Sequence, residues 1–405
     1  MSVRAQTAGR VPWLARLPRG PRGVGIAGIG LGLLAFWLAL PPLATRTVLW
    51  SILVGLLAAA AGVWAVSRGE RRVGWGALAS AALGIGGGIL ATRSSTANLD
   101  TVVVWSTLLA ATLRYATPLT FAAIGGLFSE RSGVTNIGLE GMMLMGAFFG
   151  IWGSDRTNSW ILGILIAMAA GGALALVHAF FAIHLRADQI VGGTAVNFLA
   201  LGITGYLFID LYGEQGTPSG IPSIPEVHLG FLDGVYFLGP VFGRLNLMIW
   251  LSFVVLVGSY VVMFKTPLGL RIRSVGEHPR AADTVGISVY GIRYAAVTAS
   301  GVLAALGGAY LSIGFVNSFN QNMTAGRGFI ALAALIFGAW RPFGAFAAAL
   351  LFGFSSALAQ RLPTYSDSGA LLFQALPYVL TLIAVAGVIG RSIPPAAIGR
   401  PYRKQ

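Results

Sequence analysis

Ionisable side chains are rare in the apolar parts of this chain, and Glu140 is the clearest exception. It lies inside the run Ser129–Gly150, with Asn136 one helical turn earlier. Such groups are expensive at membrane depth and usually face a cavity or the protein interior. Glu140 is therefore a candidate pathway or gating residue. The alternative, favoured because buried charges often serve structure, is an architectural carboxylate satisfied by Arg131, by backbone N–H groups or by a neighbouring helix.

Three amide side chains could belong to the same pathway. Asn136 and Asn197 could line it and hydrogen-bond a polar solute, and Gln189 is a further candidate. Each has a structural alternative: asparagines often hydrogen-bond between membrane helices, and Gln189 stands where a side chain could cap a helix. Short, Gly-interrupted apolar segments are the sequence feature that points to a transporter's pathway. We therefore predict a substrate pathway that contains Asn136, Glu140, Gln189 and Asn197.

Catalytic chemistry has no basis in this sequence. There is no cysteine, which excludes disulfides, thiolate metal sites and cysteine nucleophiles. The four histidines have no metal-ligand spacing, so we expect no metal site. A Walker A motif needs Gly before its Lys, whereas the Lys265–Thr266 pair follows Phe264. We expect no catalytic residue, no cofactor bound by this chain and no enzyme activity.

The composition is that of a polytopic membrane protein. Hydrophobic residues make up 56% of the 405 residues and charged ones only 10%, against about 25% charged in a soluble domain. The formal charge of +14 does not indicate nucleic acid, because the basic residues lie in the joints between apolar runs. This placement is typical of the positive-inside rule.

We predict an all-α fold of about twelve apolar runs. They are Val24–Ala44, Thr47–Val66, Val73–Ala91, Val103–Phe128, Asn136–Trp152, Trp160–Ile183, Ile190–Leu211, Leu247–Phe264, Tyr294–Phe315, Gly328–Trp340, Phe343–Gln360 and Leu371–Ile389. The fourth contains Arg114 and Pro118, so it is either one kinked helix or an interfacial helix followed by a short span. The fifth and tenth are shorter than the roughly 20 residues of a straight span, which predicts broken or re-entrant helices.

The basic residues also predict the topology. With a cytoplasmic N-terminus and twelve crossings, twenty of the 27 Lys and Arg residues lie in cytoplasmic segments and six in outer ones. This asymmetry favours cytoplasmic N- and C-termini over the inverse orientation. The basic segment 1–23 is then a cytoplasmic arm and 391–405 a basic cytoplasmic tail.

The connector 265–293 is the most charged joint between two runs. We predict a short helix at Arg280–Val285 that ends at Gly286. An exposed cytoplasmic helix between two spans suits the grip of a partner ATPase. The alternative is a solvated loop that keeps its arginines inside.

Four motifs carry a resemblance to a known family. The connector's GLRIRSVGEHPRAADTVGI (Gly269–Ile287) resembles the coupling loop of ABC importer permeases of the ribose and branched-chain amino acid type. The segments FSERSGVTNIGLEGMMLMGAF, ADQIVGGTAVNFLALG and GRGFIALAALIFGAWRPFGA are similar to the nucleoside and simple-sugar branch. The motifs occur in the family's order and cover residues 105–390.

The resemblance implies a permease core at 101–390. The first three runs, within 24–100, lie outside it and are predicted to be three additional transmembrane helices. It also implies partners: a cytoplasmic ATPase that binds ATP-Mg, a second related permease in a heterodimer, and an extracytoplasmic substrate-binding lipoprotein. ATP binding would move the coupling helix and open the permease outward. The coupling residues would be Gly269, Arg271, Gly276, Glu277, Pro279, Ala281, Ala282 and Gly286.

These features together predict one subunit of an ATP-driven importer for nucleosides or simple sugars, embedded in the cell membrane and surrounded by its lipid. The alternative is a self-contained secondary transporter or channel for a small polar solute. The fifth and tenth runs are the two short segments of the chain, and we hypothesise that they are facing halves of one translocation pathway.

Overall fold

The computed structural model describes residues 20–38, 48–92, 105–235, 238–361 and 393–404. Within these ranges almost all regular structure is helical, and seven helices are long and apolar enough to cross a membrane. They are Val48–Ser67, Trp105–Arg131, Trp160–His184, Gln189–Gln215, Leu247–Lys265, Val289–Val316 and Pro342–Arg361. The polytopic helical architecture is confirmed. The twelfth predicted run, Leu371–Ile389, lies outside the described residues.

The first three helices belong to the first of the two compact units of the chain. They are α1 (Pro21–Trp37), α2 (Val48–Ser67) and α3 (Arg71–Thr92). Small residues line their contacts: a Cβ added to Gly28 would lie 3.0 Å from the Cβ atoms of both Ala61 and Ala77. A Cβ on Gly84 would overlap the carbonyl oxygen of Gly32. These helices pack through close backbone approach, as is common in membranes.

The second compact unit contains the remaining helices and the C-terminal segment 393–404. Its helices are α4 (Trp105–Arg131), α5 (Leu139–Thr157), α6 (Trp160–Ala179), α7 (Gln189–Tyr212), α8 (Leu238–Phe242), α9 (Leu247–Lys265), α10 (Pro267–Glu277), α11 (Pro279–Thr284), α12 (Val289–Ala309), α13 (Arg327–Phe337) and α14 (Pro342–Arg361). Helices α6 and α12 each continue into π-helical turns, Phe180–His184 and Tyr310–Val316.

Helix α12 lies at the centre of this unit, packed against α4, α5 and α6. Glycines allow these contacts: Gly301 of α12 meets Gly171 of α6, and Gly308 approaches the Met143 carbonyl of α5 so closely that a Cβ would overlap it. Helix α4 is continuous with Pro118 inside it. The alternative of an interfacial helix followed by a short span is therefore wrong.

The tenth run is shortened, as predicted, whereas the fifth is not, because its helix α5 has 19 residues. Helix α5 begins only at Leu139, after a non-helical segment, 132–138, that separates it from α4. Helix α13 has 11 residues. Left-handed residues flank it, with φ of 44° at Ala325 before it and 53° and 52° at Ala339 and Trp340 after it. Such conformations cost about 1–3 kcal/mol each and persist only where the surroundings enforce them.

One small element departs from the all-α expectation. Two three-residue strands, β1 (Glu226–His228) and β2 (Arg244–Asn246), pair antiparallel with Val227 opposite Leu245. Glu226 lies 3.7 Å from Arg114 of α4 in a partly exposed ion pair. The ribbon orders part of the Gly- and Pro-rich loop between α7 and α9.

Candidate functional site

The segment 132–138 is non-helical, and the amides of its first three residues bond back to carbonyls at the end of α4. Side chains from the surrounding helices hold more of its backbone. The Thr135 amide donates to Gln189 Oε1 at 2.7 Å, and His178 Nε2 donates to the Thr135 carbonyl at 3.1 Å. Ser129 donates to the Val134 carbonyl at 2.8 Å. Non-helical backbone at membrane depth is tolerated only where protein or a water-filled cavity satisfies it, and here side chains do so.

Asn197 of α7 joins the far end of this segment to the start of α5. Its Nδ2 donates to the Ile137 carbonyl at 3.0 Å, and its Oδ1 accepts the Gly141 amide at 2.8 Å. Asn136 donates to Ser300 of α12 at 2.9 Å. One amide therefore fixes the position at which the broken helix resumes.

Gln189 does not cap α7. Asp188 is the cap, because its Oδ1 accepts the Ile190 and Val191 amides at 2.8 and 3.0 Å. The Gln189 side chain turns inward to Thr135 and is buried. The capping alternative for Gln189 is thus wrong, and its side chain belongs to the contacts around the interrupted segment.

Glu140 binds the start of the short helix α13. Its Oε1 accepts the Gly326 amide at 2.7 Å and its Oε2 the Gly328 amide at 2.6 Å. A Cβ on Gly328 would lie 2.5 Å from the Glu140 Cα, so only glycine fits there. A carboxylate at a helix N-terminus also meets the positive end of the helix dipole. These contacts match the architectural alternative in which backbone N–H groups satisfy the carboxylate. Arg131, another partner considered for Glu140, donates instead to the Trp340 carbonyl.

The other end of α13 is held by the end of α4. Trp340 Nε1 donates to Glu130 Oε2 at 2.6 Å. Arg131 donates from Nε and Nη2 to the Trp340 carbonyl at 3.0 and 2.7 Å. The left-handed turn at Ala339 and Trp340 is therefore fixed by bonds to both the side chain and the backbone of Trp340. Sequence reasoning missed Glu130 and Trp340, although both stand within the motifs that carry the resemblance.

The fifth run contacts the start of α13 through Glu140, whereas the end of α4 holds the other end of α13. Residues of the stretch 130–140 hold both of its ends, and Met142 and Ala333 lie in the same hydrophobic cluster. All four predicted pathway residues lie on or beside α5 and the segment that precedes it. The contacts describe how these residues hold the fold, and their role in a substrate pathway stays a prediction.

The predicted coupling segment forms two short helices, α10 and α11. The predicted helix at Arg280–Val285 is confirmed to within one residue, and Gly286 follows it at φ 83°. Within the segment, Ala282 is buried while Arg271, Glu277 and Ala281 are exposed. Pro279 is the first residue of α11, and Gly269 lies in the first turn of α10.

Gly276 brings α10 onto the turn that begins the interrupted segment. A Cβ at Gly276 would overlap the Arg131 carbonyl oxygen and lie 3.3 Å from the Gly133 amide. Arg293 of α12 lies beneath, 1% exposed, and its Nε donates to the Ser132 carbonyl at 3.2 Å. A displacement of α10 would therefore reach residues 131–133 directly.

This geometry defines a class: a multi-pass helical membrane protein whose core contains two interrupted helices held by buried polar side chains. Residues 108–385 match the family described as "Branched-chain amino acid transport system / permease component". The chain belongs to this family. It is a permease subunit rather than an enzyme, and the resemblance drawn from the motifs is confirmed.

Three relatives characterise the match. The chain is 44% identical to the guanosine ABC transporter permease protein NupQ of Bacillus subtilis, over 76% of this chain and 99% of the relative. It is 40% identical to the nucleoside ABC transporter permease protein NupC of Lactococcus lactis, over 72% and 95%. It is 25% identical to the guanosine ABC transporter permease protein NupP of B. subtilis, over 60% and 70%. No solved structure matches the chain significantly.

Proposed function

We propose that this chain is a permease subunit of an ATP-driven ABC importer and carries nucleosides across the cell membrane, with simple sugars as the alternative cargo. The observation that carries the proposal is the 44% identity to a guanosine permease over 99% of that protein's length. The interrupted helices support it, because transporters commonly form their cargo sites from discontinuous helices.

The partners follow from the same relatives. The chain is similar to two different guanosine permeases of one organism, at 44% and 25% identity. We infer a heterodimer in which this chain is the subunit that corresponds to NupQ and a second, related permease is the subunit that corresponds to NupP. A cytoplasmic ATPase would bind ATP-Mg, and a lipoprotein outside the membrane would deliver the substrate.

The proposed topology has about twelve crossings and both termini in the cytoplasm of a bacterial-type cell. The positive-inside distribution supports it. The chain has no cysteine, so single cysteines report cleanly on sidedness. Labelling of intact cells with an impermeant maleimide should modify Ser219→Cys in the loop before β1 but not Ile393→Cys. Labelling of only the second would invert the topology.

Asn136, Gln189 and Asn197 are proposed to border the pathway while they hold segment 132–138. Within the described residues, Asn136 Oδ1 and Gln189 Nε2 have no hydrogen-bond partner, and neither has the Nδ1 atom of the adjacent His178. Buried polar atoms of this kind call for a partner such as water or cargo. Glu140 is proposed to set the position of α13 rather than to touch cargo, since both its oxygens already accept backbone amides.

The test is transport by purified components in proteoliposomes. The four-part system of this chain, its partner permease, the ATPase and the lipoprotein should accumulate labelled guanosine when ATP is supplied inside. Unlabelled glucose in excess should not compete if nucleosides are the cargo. Uptake by this chain alone, driven by an ion gradient and indifferent to ATP, would refute the ABC assignment in favour of a secondary carrier.

A further inference from the structure

The C-terminal segment 393–404 is packed against the coupling segment. The Ala397 amide donates to the Gly276 carbonyl at 2.9 Å, which places the chain end directly on the last turn of α10. The Gly399 amide donates to the Gly133 carbonyl at 3.2 Å. The segment therefore bridges the coupling helix and the turn that begins the interrupted segment.

Side-chain contacts extend this bridge. The buried Arg293 donates from Nη1 to the Arg400 carbonyl at 3.2 Å. Tyr402 is 6% exposed, and its hydroxyl donates to Asp283 Oδ2 of α11 at 2.8 Å. Burial raises the pKa of the Tyr402 phenol above its usual value, and the bond to Asp283 acts in the same direction. The phenol thus stays protonated and able to donate.

Basic side chains outnumber carboxylates on the exposed surface of these two segments. Glu277 accepts the Ala396 amide at 3.1 Å, and Asp283 accepts Tyr402, so backbone and hydroxyl donors engage the two carboxylates of the coupling helices. The exposed basic side chains around them belong to both segments and are Arg280, Arg400, Arg403 and Lys404.

A cleft of about 570 Å³ lies beside the contact between the two segments. Glu277, His278, Pro279 and Arg280 line it on the side of the coupling segment, and Arg400, Pro401, Tyr402 and Arg403 on the other. Two apolar side chains of the same two segments are unusually exposed, Val285 at 73% and Ile393 at 80%. Exposed apolar groups beside charged ones are typical of surfaces that bind another protein.

We propose that α11 and the C-terminal segment 393–404 form one composite docking surface for an acidic region of the ATPase. The inference rests on the proposed function and extends it, because the coupling helix then acts together with the chain end. The basic rim selects an acidic partner and orients its approach. The hydrogen bonds to Gly276 and Gly133 pass the motion of the docked ATPase to residues 131–133.

The test is ATPase binding to the permease heterodimer in nanodiscs. We would measure the affinity of the purified ATPase for wild type and for the triple variant Arg280→Gln/Arg400→Gln/Arg403→Gln at low and high salt. Three exposed charge pairs predict a loss of about tenfold in affinity and a flatter salt dependence. The matched control is Arg68→Gln/Arg71→Gln/Arg72→Gln, which removes three exposed arginines beside α2 and α3 and should bind normally.

The outcomes are distinct. Failure of the wild-type heterodimer to bind the ATPase would count against the proposed function itself. Equal binding by wild type and the triple variant would overturn the docking inference alone. A loss that appears only in nanodiscs containing anionic lipid would make the arginines lipid contacts, which also overturns it.

A second measurement tests the same inference without the triple variant, in case that variant assembles poorly. A photo-cross-linker on Lys404→Cys, in a chain otherwise free of cysteine, should capture the ATPase. The same probe on Ser219→Cys should not. Absence of the Lys404 cross-link in an ATP-hydrolysing complex would contradict the inference.

Discussion

The three N-terminal helices and the permease core are built by different means. In α1–α3, glycine and alanine line the contacts, and among their described residues no charged side chain is buried. The core buries Glu130, Glu140 and Arg293. Burying such groups is costly unless each is hydrogen-bonded, so the core maintains polar contacts that packing alone would not require.

The difference in buried polar contacts indicates which region of the chain carries the residues needed for transport. Close glycine packing holds helices together but leaves their backbones helical and unbroken. The polar contacts of the core serve another purpose, because they hold the interrupted segment 132–138 and the two ends of α13 in conformations that are not stable alone. We therefore expect substitutions in the core to affect transport, and substitutions in α1–α3 to affect packing only.

Removal of the Glu140 carboxylate should have the largest effect. Glu140→Ala leaves the buried amides of Gly326 and Gly328 without an acceptor, which costs about 1–3 kcal/mol for each. Helix α13 then loses its fixed N-terminus. Uptake of guanosine in the reconstituted system should fall by about a hundredfold, while the chain still inserts and purifies.

Glu140→Gln is the matched variant, because it keeps one carbonyl acceptor and loses the other. It should retain an intermediate rate. Wild-type uptake by Glu140→Ala would show that the carboxylate is dispensable and that polar burial does not mark the working parts of this core.

Gly276→Val should be the next most damaging change. Its side chain would overlap the Arg131 carbonyl and push α10 off residues 131–133. We expect ATP hydrolysis to continue while uptake falls by more than about tenfold, since overpacking of this kind costs about 1–3 kcal/mol. The ratio of transported guanosine to hydrolysed ATP measures the effect.

Gly258→Val is the control for this experiment. Gly258 lies in the adjacent α9, and nothing would lie within 4 Å of its added Cβ. Both its transport and its coupling ratio should match wild type. A normal coupling ratio in Gly276→Val would remove the mechanical link between α10 and the interrupted segment.

Asn197→Ala should have a moderate effect. It removes the donor to Ile137 and the acceptor for Gly141, so the restart of α5 is less firmly fixed. About tenfold slower uptake is expected from the loss of roughly 1–3 kcal/mol. Thr194→Ala, on the same helix, removes only an exposed bond to its own backbone at Ile190 and should be neutral. Equal rates for the two variants would contradict the proposed role of Asn197.

The helical membrane architecture could be predicted from the sequence, because a membrane-spanning helix requires a long apolar run and such runs are visible in the sequence. The shortness of run ten and the helix before Gly286 both depend on local pattern, and so does the choice of Glu140 as a candidate residue. The partner of Glu140 could not be predicted, since it consists of backbone amides 186 and 188 residues further along the chain. Sequence periodicity does not reveal contacts of that range.

The C-terminal segment shows the same limit more sharply. Its composition predicted a basic cytoplasmic tail and no contact with the rest of the chain. The structure instead places Ala397 and Gly399 on the carbonyls of Gly276 and Gly133. Backbone-to-backbone bonds of this kind leave no mark on side-chain composition, so only the buried Tyr402 could have hinted at docking.

Gly84→Leu should have the smallest effect on transport and so tests the comparison from the other side. Its side chain would overlap the Gly32 carbonyl and crowd Ala35, which separates α3 from α1 at a cost of about 1–3 kcal/mol. Thermal unfolding of the purified chain should begin at a lower temperature, while guanosine uptake at a permissive temperature stays at the wild-type rate. If uptake instead fell as far as in Glu140→Ala, glycine packing in α1–α3 would be as necessary for transport as the polar contacts of the core. The two regions would then differ in construction but not in importance.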